Sequence, residues 1–525
     1  MKNLAHPNIS LTRILFPLAL AGALWIPTIP ASGAQSEWVY PAANGNLIYK
    51  TLPGGDRISD FSHAGYGGGG VSLPIVPVAK TVAPSGGDDS AAIQDAVDAV
   101  AALPLKNGFR GAVLLESGTF LCGKPITISQ DGVVVRGSGS GEKGTTIVMT
   151  GDAHVCLVIQ GQNLKFPKEE ASDVYPVSDS YVPSGTTSLS VKDAKGLKAG
   201  DTVLVRWLRT AAWIQFMGMD NLIRDGKLQN WIKADSAVSF QRKIEAIDEN
   251  RITLDVPLAD SIDSKFLPAV VVKTQPPKRL TQCGFESLRI HSLPPTGTLK
   301  AKNNTAMTVD NSEDCWFRDI VTTDTLNIAI VLGNARRITL LNINAHHTAT
   351  IEKGAGYPAD FTLRGSQVLI DRCSSKGDGA FFVDTAHASS SLNVALNCDF
   401  EGKGAIQPHQ RWSTGLLVDS CKVPEGKIEF INRNTAGSGH GWAMGWAVAW
   451  NGLAKTFQIQ QPPGSINWCI GCVGEMDWGK LKEGESAPQP GPWLSSHGTP
   501  VEPASLYLAQ LRERLGQQAV TNIGY

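Results

Sequence analysis

The 525-residue sequence carries no surplus of charge of either sign: 47 Lys and Arg face 48 Asp and Glu, a formal net charge of −1. That balance gives a nucleic acid or an anionic membrane surface nothing to hold, so neither is expected as a partner. Strongly helical segments are few, and past the N-terminus no stretch is long and apolar enough to cross a bilayer. The mature protein is expected to be soluble. A cysteine is also missing from the position where a lipoprotein would need one, and Gln35 stands there instead.

That position follows a secretory-type leader. Lys2 and Arg13 form a basic start, Ile14 to Ile26 is apolar, Pro27 and Pro30 break it, and Ala31-Ser32-Gly33-Ala34 supplies small residues for cleavage near Ala34. Residues 1–34 are thus read as a signal peptide, and the location as secreted or periplasmic. Glycine is abundant, with 54 residues, as suits many short strands joined by turns. Nine cysteines in an exported chain invite a disulfide framework, but such frameworks belong to chains of under about 100 residues.

An internal repeat accounts for the cysteines better. Trp316 to Ile320, Ile338 to Ile343, Val368 to Cys373, Val394 to Cys398 and Leu417 to Cys421 are alike, with a degenerate copy at Ala447 to Asn451 and another at Trp468 to Cys472. Each is β-prone and ends in a small or apolar residue preceded by a polar one, often Asn or Asp. In a solenoid each coil contributes such a strand, and equivalent side chains stack about 4.8 Å apart. Ile343, Cys373, Cys398 and Cys421 are then rungs of an inward ladder, small hydrophobes instead of disulfide partners. The fold class is all-β: a right-handed parallel β-helix (solenoid) with an N-terminal capping helix and a small inserted β domain.

The opening of the chain fits this. Ile58 to Gly70 and Gly86 to Ser90 lead into the helical Ile93 to Val97, then Gly111 to Phe120, Ile126 to Ile128 and Val133 to Gly139. This resembles the start of the pectate-lyase-like superfamily, in which a helix caps the open end of the solenoid. From Asp360 to Gly474 the chain is also similar to an exported, polysaccharide-lyase-like bacterial branch of it, through Pro408 to Gly415, Gly437 to Trp442 and Pro462 to Cys472. The organisation expected is a cap with the first coils over 35–162, an inserted β domain over 163–275, the main coils over 276–480, and a tail with a helix over 481–525. Aromatics between Trp207 and Trp231 either overhang a groove or pack the insert onto the solenoid.

Offsets from the rungs bring chemistry-bearing side chains together on one wall: Asp384, His387, His409, Arg411, Trp412, Arg433, His440 and Trp442. Arg grips a carboxylate in bidentate fashion, Trp stacks on a sugar ring, and His moves protons near neutral pH. The resemblance implies a polysaccharide, and these residue types an acidic one. His409 as base and Arg411 as carboxylate clamp are expected to catalyse β-elimination, with His387, Asp384, Trp412, Arg433, His440 and Trp442 binding substrate. Two alternatives stay open: a glycoside hydrolase drawing on Asp384, Glu401 and Glu429, and a non-catalytic glycan-binding protein. Asp371, Asn397 and Asp419, beside the rungs, are expected to be structural hydrogen bonders. The calcium-binding Asp set of pectate lyases is absent, as are the paired Asp residues that accompany a Gly-His-Gly motif in polygalacturonases. No cofactor is called for, Ca²⁺ stays open, no metal ligands are assigned, and the assembly is expected to be a monomer or homotrimer.

Overall fold

The computed structural model describes residues 34–525 apart from 167, 295–296, 300–303, 353–357 and 480–490. Of the expected signal peptide over 1–34, residues 1–33 lie outside the described residues. From Val78 onward the chain winds through parallel strands on three faces. The first face runs, coil by coil, through Gly111–Leu115, Val133–Gly137, Gly284–Ser292, Ser312–Thr323, Arg336–His346, Leu369–Asp371, Ser391–Leu396, Ser413–Asp419, Val448–Trp450 and Trp468–Ile470. The second adds Gly118–Cys122, Thr145–Met149, Ser374–Lys376, Asp399–Glu401 and Lys422–Phe430 to the far halves of the long strands. The third holds Ile126–Ile128, Val155–Gln160, Thr305–Asp310, Asn327–Val331, Ala359–Leu363, Phe381–Thr385 and Ala405–Ile406. Parallel strands joined by crossovers wind right-handedly, so this is a right-handed parallel β-helix.

The polar residue before each rung has a backbone cause. Asp319, Asn342, Arg372, Asn397, Ser420 and Asn451 all sit in the left-handed region, with φ of 54°, 53°, 52°, 49°, 56° and 48°. That region makes the corner between the first and second faces, and Asn and Asp tolerate it better than other residues with a side chain. The next residue then turns into the core. Ile320 stands in register with Ile343. In the coils above, the Cys373 thiol donates to Leu340 O (3.4 Å), Cys398 to Ile370 O (3.7 Å), Cys421 to Ala395 O (3.3 Å) and Cys472 to Ala449 O (3.4 Å). All nine cysteines are buried and unbridged, and burial pushes the Cys398 and Cys421 thiols well above their usual pKa. The native protein is therefore expected to leave all nine thiols unreacted with a thiol reagent, and the denatured, unreduced protein to expose nine. A shortfall of three or more in denaturant means disulfides and removes the ladder.

The helix at Ser90–Ala101 buries Ile93, Ala96, Val97 and Val100 against the first coils and closes their end. The helix at Leu506–Leu515 lies along the body instead. Asp419 accepts from Ser505 Oγ (2.7 Å) and Tyr507 N (2.8 Å), while Asp371 and Asn397 both bond the Tyr525 hydroxyl. The three polar residues beside the rungs thus anchor the C-terminal segment, as their expected structural role requires.

The chain leaves the solenoid at Gly161 and rejoins it at Leu280, because Val155–Gln160 pairs directly with Thr305–Asp310. In between lies a six-stranded antiparallel sheet that includes Ser188–Ser190, Thr202–Arg209, Ser236–Asp248 and Arg251–Leu254. Its apolar core reaches the solenoid through Trp412. That indole meets Trp213 and Trp231 edge-on at 5.8 and 6.5 Å, and donates to buried Asp260 (3.0 Å), which also accepts from Trp446 (3.1 Å). Of the two readings of the Trp207 to Trp231 aromatics, packing onto the solenoid is what Trp213 and Trp231 do.

Candidate functional site

Strand side chains alternate between core and surface. On the third face Phe361, Val383, Ile406, Ile428 and Phe457 stack inward in register. The residues after them therefore form an outer row: Thr362, Asp384, Gln407, Glu429 and Gln458. The row is covered at these two positions: Asp384 and Glu429 are only 5% and 6% exposed. Gln407 donates to the Glu429 carboxylate, and Lys427 Nζ lies 3.3 Å from it.

His409 leaves the row just after Pro408, its N–H bonded to Thr385 O (2.7 Å). Its Nδ1 stands 3.9 Å from the Asp384 carboxylate, too far for a hydrogen bond. Its ring lies 4.7 Å from that of His440 and edge-on to Phe381 at 5.0 Å. Arg433 caps the group: it donates to His409 O (3.2 Å) and lies over the Phe381 ring at 5.4 Å. His440 is set by a turn whose glycines, Gly437, Gly439 and Gly441, all have positive φ. A Cβ at Gly437 would strike the His440 ring, and one at Gly441 would strike Trp231.

Three buried polar atoms here have no partner among the described residues: Asp384 Oδ1, His409 Nδ1 and His440 Nδ1. Buried polar groups are ordinarily satisfied, so these three atoms leave hydrogen-bonding capacity unused at one point of the wall. The electrostatics are as distinctive. Burial raises the Asp384 carboxyl to about 6. Burial first, then the charges of Arg433, His440 and Arg364, push His409 down to about 3. Burial, Arg433, Arg411 and Arg224 bring His440 down to about 4. At neutral pH both imidazoles are neutral, each with a nitrogen free to accept or donate.

The other expected site residues are placed differently. Arg411 is engaged by the insert: it donates to Asn230 O (2.9 Å), to Trp231 O and to Ser438 Oγ (2.9 Å). Arg411 and Trp412 are both left-handed, φ 71° and 58°, a strained pair that turns the two side chains into the insert. Trp412 is 4% exposed and offers no open face to a sugar. Trp442 is partly buried against the insert core, its carbonyl accepting from Trp231 Nε1 (3.2 Å). His387 lies one coil from His409, bonded to Ser389 Oγ (2.8 Å), with its pKa lowered by burial, Arg209 and Arg364. Glu401 is on the second face, paired in the open with Lys376 (2.9 Å). Elsewhere on the solenoid His347 bonds Asp360 (2.8 Å). No cluster of metal-ligating side chains occurs among the described residues.

Arg364 escaped the sequence reading. It follows the third-face strand Ala359–Leu363 directly, but the longer loop before that strand shifts its offset from the rung at Ile343. Counting back from the next coil would have found it.

No protein-family model matches this sequence, and no curated protein does. Solved structures do resemble it at low identity. The A-module of mannuronan C-5 epimerase AlgE6 from Azotobacter vinelandii aligns at 10% identity over 85% of this chain and 99% of its own, TM-score 0.33. The Streptococcus pneumoniae surface adhesin PfbA aligns at 9% over 75% and 83%, TM-score 0.33. The tailspike protein gp49 from Pseudomonas phage LKA1 aligns at 13% over 74% and 69%, TM-score 0.31. Among the described residues no helix is long and apolar enough to cross a membrane.

Proposed function

We propose that this protein is an exported lyase that cleaves a uronic-acid-containing polysaccharide by β-elimination at the Asp384–His409–Arg433 cluster. The observation that carries the reading is the convergence of unpartnered Asp384 Oδ1, His409 Nδ1 and His440 Nδ1 beside Arg433. Arg433 takes the clamp role that Arg411 cannot fill while its guanidinium serves the insert. A guanidinium on the sugar carboxylate acidifies the neighbouring C5–H. His409 Nδ1 takes that proton, the electron pair forms the C4–C5 double bond, and the C4–O bond breaks. The leaving oxygen takes the proton of Asp384, a carboxylic acid kept protonated to about pH 6 by burial. Burial does most to hold His409 down, and an anion on Arg433 and Arg364 removes the share that their charges add, which makes the base stronger when substrate binds.

A second reading draws on the same row. Asp384 and Glu429 stand two coils apart, about 10 Å along the axis, near the roughly 6.5–9.5 Å of inverting glycosidases. The test is a reaction in ¹⁸O-water against a panel of acidic polysaccharides, read by mass and by ultraviolet absorbance. An unsaturated, unlabelled product is expected. A saturated, labelled product replaces the lyase with the hydrolase. With Asp384 as the acid, kcat is also expected to fall as pH rises above about 6, and a flat profile from pH 6 to 9 removes Asp384 from that role.

A further inference from the structure

A cleft of about 620 Å³ lies between the insert and the solenoid, outside the cluster just described. One wall is the insert strands Thr202–Arg209 and Ser236–Asp248; the other is the corners Leu332–Arg336, Arg364–Gln367 and His387–Ser389. Those corners belong to successive coils, since Arg336, Ser366 and Ser391 bridge in sequence. The cleft therefore runs along the solenoid axis, at about 4.8 Å per coil. The next coil in that direction carries His409.

Five arginines face Glu169 and Asp310 in the cleft. Three are spent on the fold. Arg242 donates to Gln241 O, Val256 O and Pro257 O; Arg279 donates to Asn334 O and Gln241 Oε1; Arg336 pairs with Glu313 at 2.6 Å. The other two are different. The exposed Arg364 side chain has no hydrogen-bond or ion-pair partner among the described residues; only its backbone is bonded, the N–H to Val331 O and the carbonyl to the Ser389 hydroxyl (2.7 Å). Arg206 is gripped in bidentate fashion by the Glu169 carboxylate, at 2.6 and 2.9 Å. Glu169 comes from the irregular segment that leaves the solenoid, and Phe166 of that segment shows an aromatic face at the mouth, 44% exposed.

We infer that this cleft is an extended binding site for the acidic polysaccharide, with Arg364 and Arg206 as carboxylate subsites and Glu169 as a resident carboxylate that substrate displaces. The inference rests on the acidic-polysaccharide reading above and extends it several coils from the cluster. Planar guanidinium forks suit sugar carboxylates, and an exposed phenyl ring suits a pyranose face. Arg364 joins the two regions, because its charge also acts on Asp384 and His409.

Binding can be read without turnover by affinity electrophoresis of the Asp384→Asn protein in gels holding pectate, alginate, hyaluronate or neutral dextran. At least one acidic polymer is expected to retard the protein, and dextran is not. In the same background Arg206→Gln is expected to weaken binding roughly tenfold, and Glu169→Gln to tighten it by removing the competing carboxylate. The second variant guards against misfolding, which cannot tighten binding. Retention by no acidic polymer overturns the inference, as does binding indifferent to both substitutions. Turnover in the ¹⁸O assay with such indifferent binding removes the cleft and leaves the catalytic reading standing. Binding that responds to both, when the unsubstituted protein turns nothing over in the ¹⁸O assay, supports the cleft and removes the lyase.

Discussion

Asp384→Asn is expected to abolish turnover and at the same time raise the melting temperature at pH 8. The Asp384 carboxyl is buried and titrates at about 6, against 3.8 for a free aspartate. The folded state therefore binds its proton more tightly than the unfolded chain does. Its contribution to stability is most favourable below about pH 4, is lost as pH rises from 4 to 6, and above 6 the buried carboxylate burdens the fold. The span corresponds to about 3 kcal/mol at most. Asparagine removes the buried charge, so the gain should be present at pH 8 and vanish near pH 4.

Two other buried aspartates make the comparison sharp. Burial also brings Asp260 and Asp419 to about 6. Yet Asp419 accepts from Ser505, Tyr507 and Ser420, and Asp260 from the Trp412 and Trp446 indoles. An amide there presents its NH₂ to a donor and loses an acceptor, which costs about 1–3 kcal/mol. Asp260→Asn and Asp419→Asn are expected to lower the melting temperature at pH 8. Calorimetry at pH 4 and pH 8 on the three variants, with turnover alongside, separates a site carboxylate from two structural ones. A fall for Asp384→Asn matching that of Asp419→Asn would place it among the structural pins.

The difference between these aspartates was only half legible in the chain. Asp371, Asn397 and Asp419 flank rungs whose period is set by the backbone itself: one left-handed corner per coil, one inward residue after it. That regularity shows in any stretch of sequence long enough to repeat. The insert strands were legible for the same local reason, through alternation and turns. The site is different, because its contacts join distant parts of the chain. Nothing within Pro408 to Trp412 tells that Arg411 will meet the carbonyls of Asn230 and Trp231, about 180 residues earlier. The same is true of Trp412, whose exposed-type setting beside Pro and His conceals an indole bound for Asp260. Arg433, weighed only as a binding residue, gains the central place because the insert has already occupied Arg411.

That exchange of roles leads to the second large effect. Arg433→Ala is expected to lower kcat/KM by about 10²-fold or more, and Arg433→Lys by nearly as much. Lysine keeps the charge but not the planar fork, and it lacks the guanidinium carbon that stands 5.4 Å over the Phe381 ring. Neither change should move the melting temperature far, since the only hydrogen bond of the Arg433 side chain among the described residues goes to His409 O. Arg411→Ala should behave in reverse. It releases the carbonyls of Asn230 and Trp231 and the Ser438 hydroxyl, so it should lower the melting temperature and quicken proteolysis between residues 217 and 231, with activity lost only as folded protein is lost. His409→Ala is the third arm: binding of an acidic oligosaccharide retained, turnover down by roughly 10²–10⁴-fold, the usual worth of a positioned base. The decisive comparison is Arg433→Lys against Arg411→Lys, with each rate divided by the folded fraction. If the Arg411 variant loses more per folded molecule, the carboxylate clamp returns to Arg411, and its hydrogen bonds to the insert must open when substrate binds.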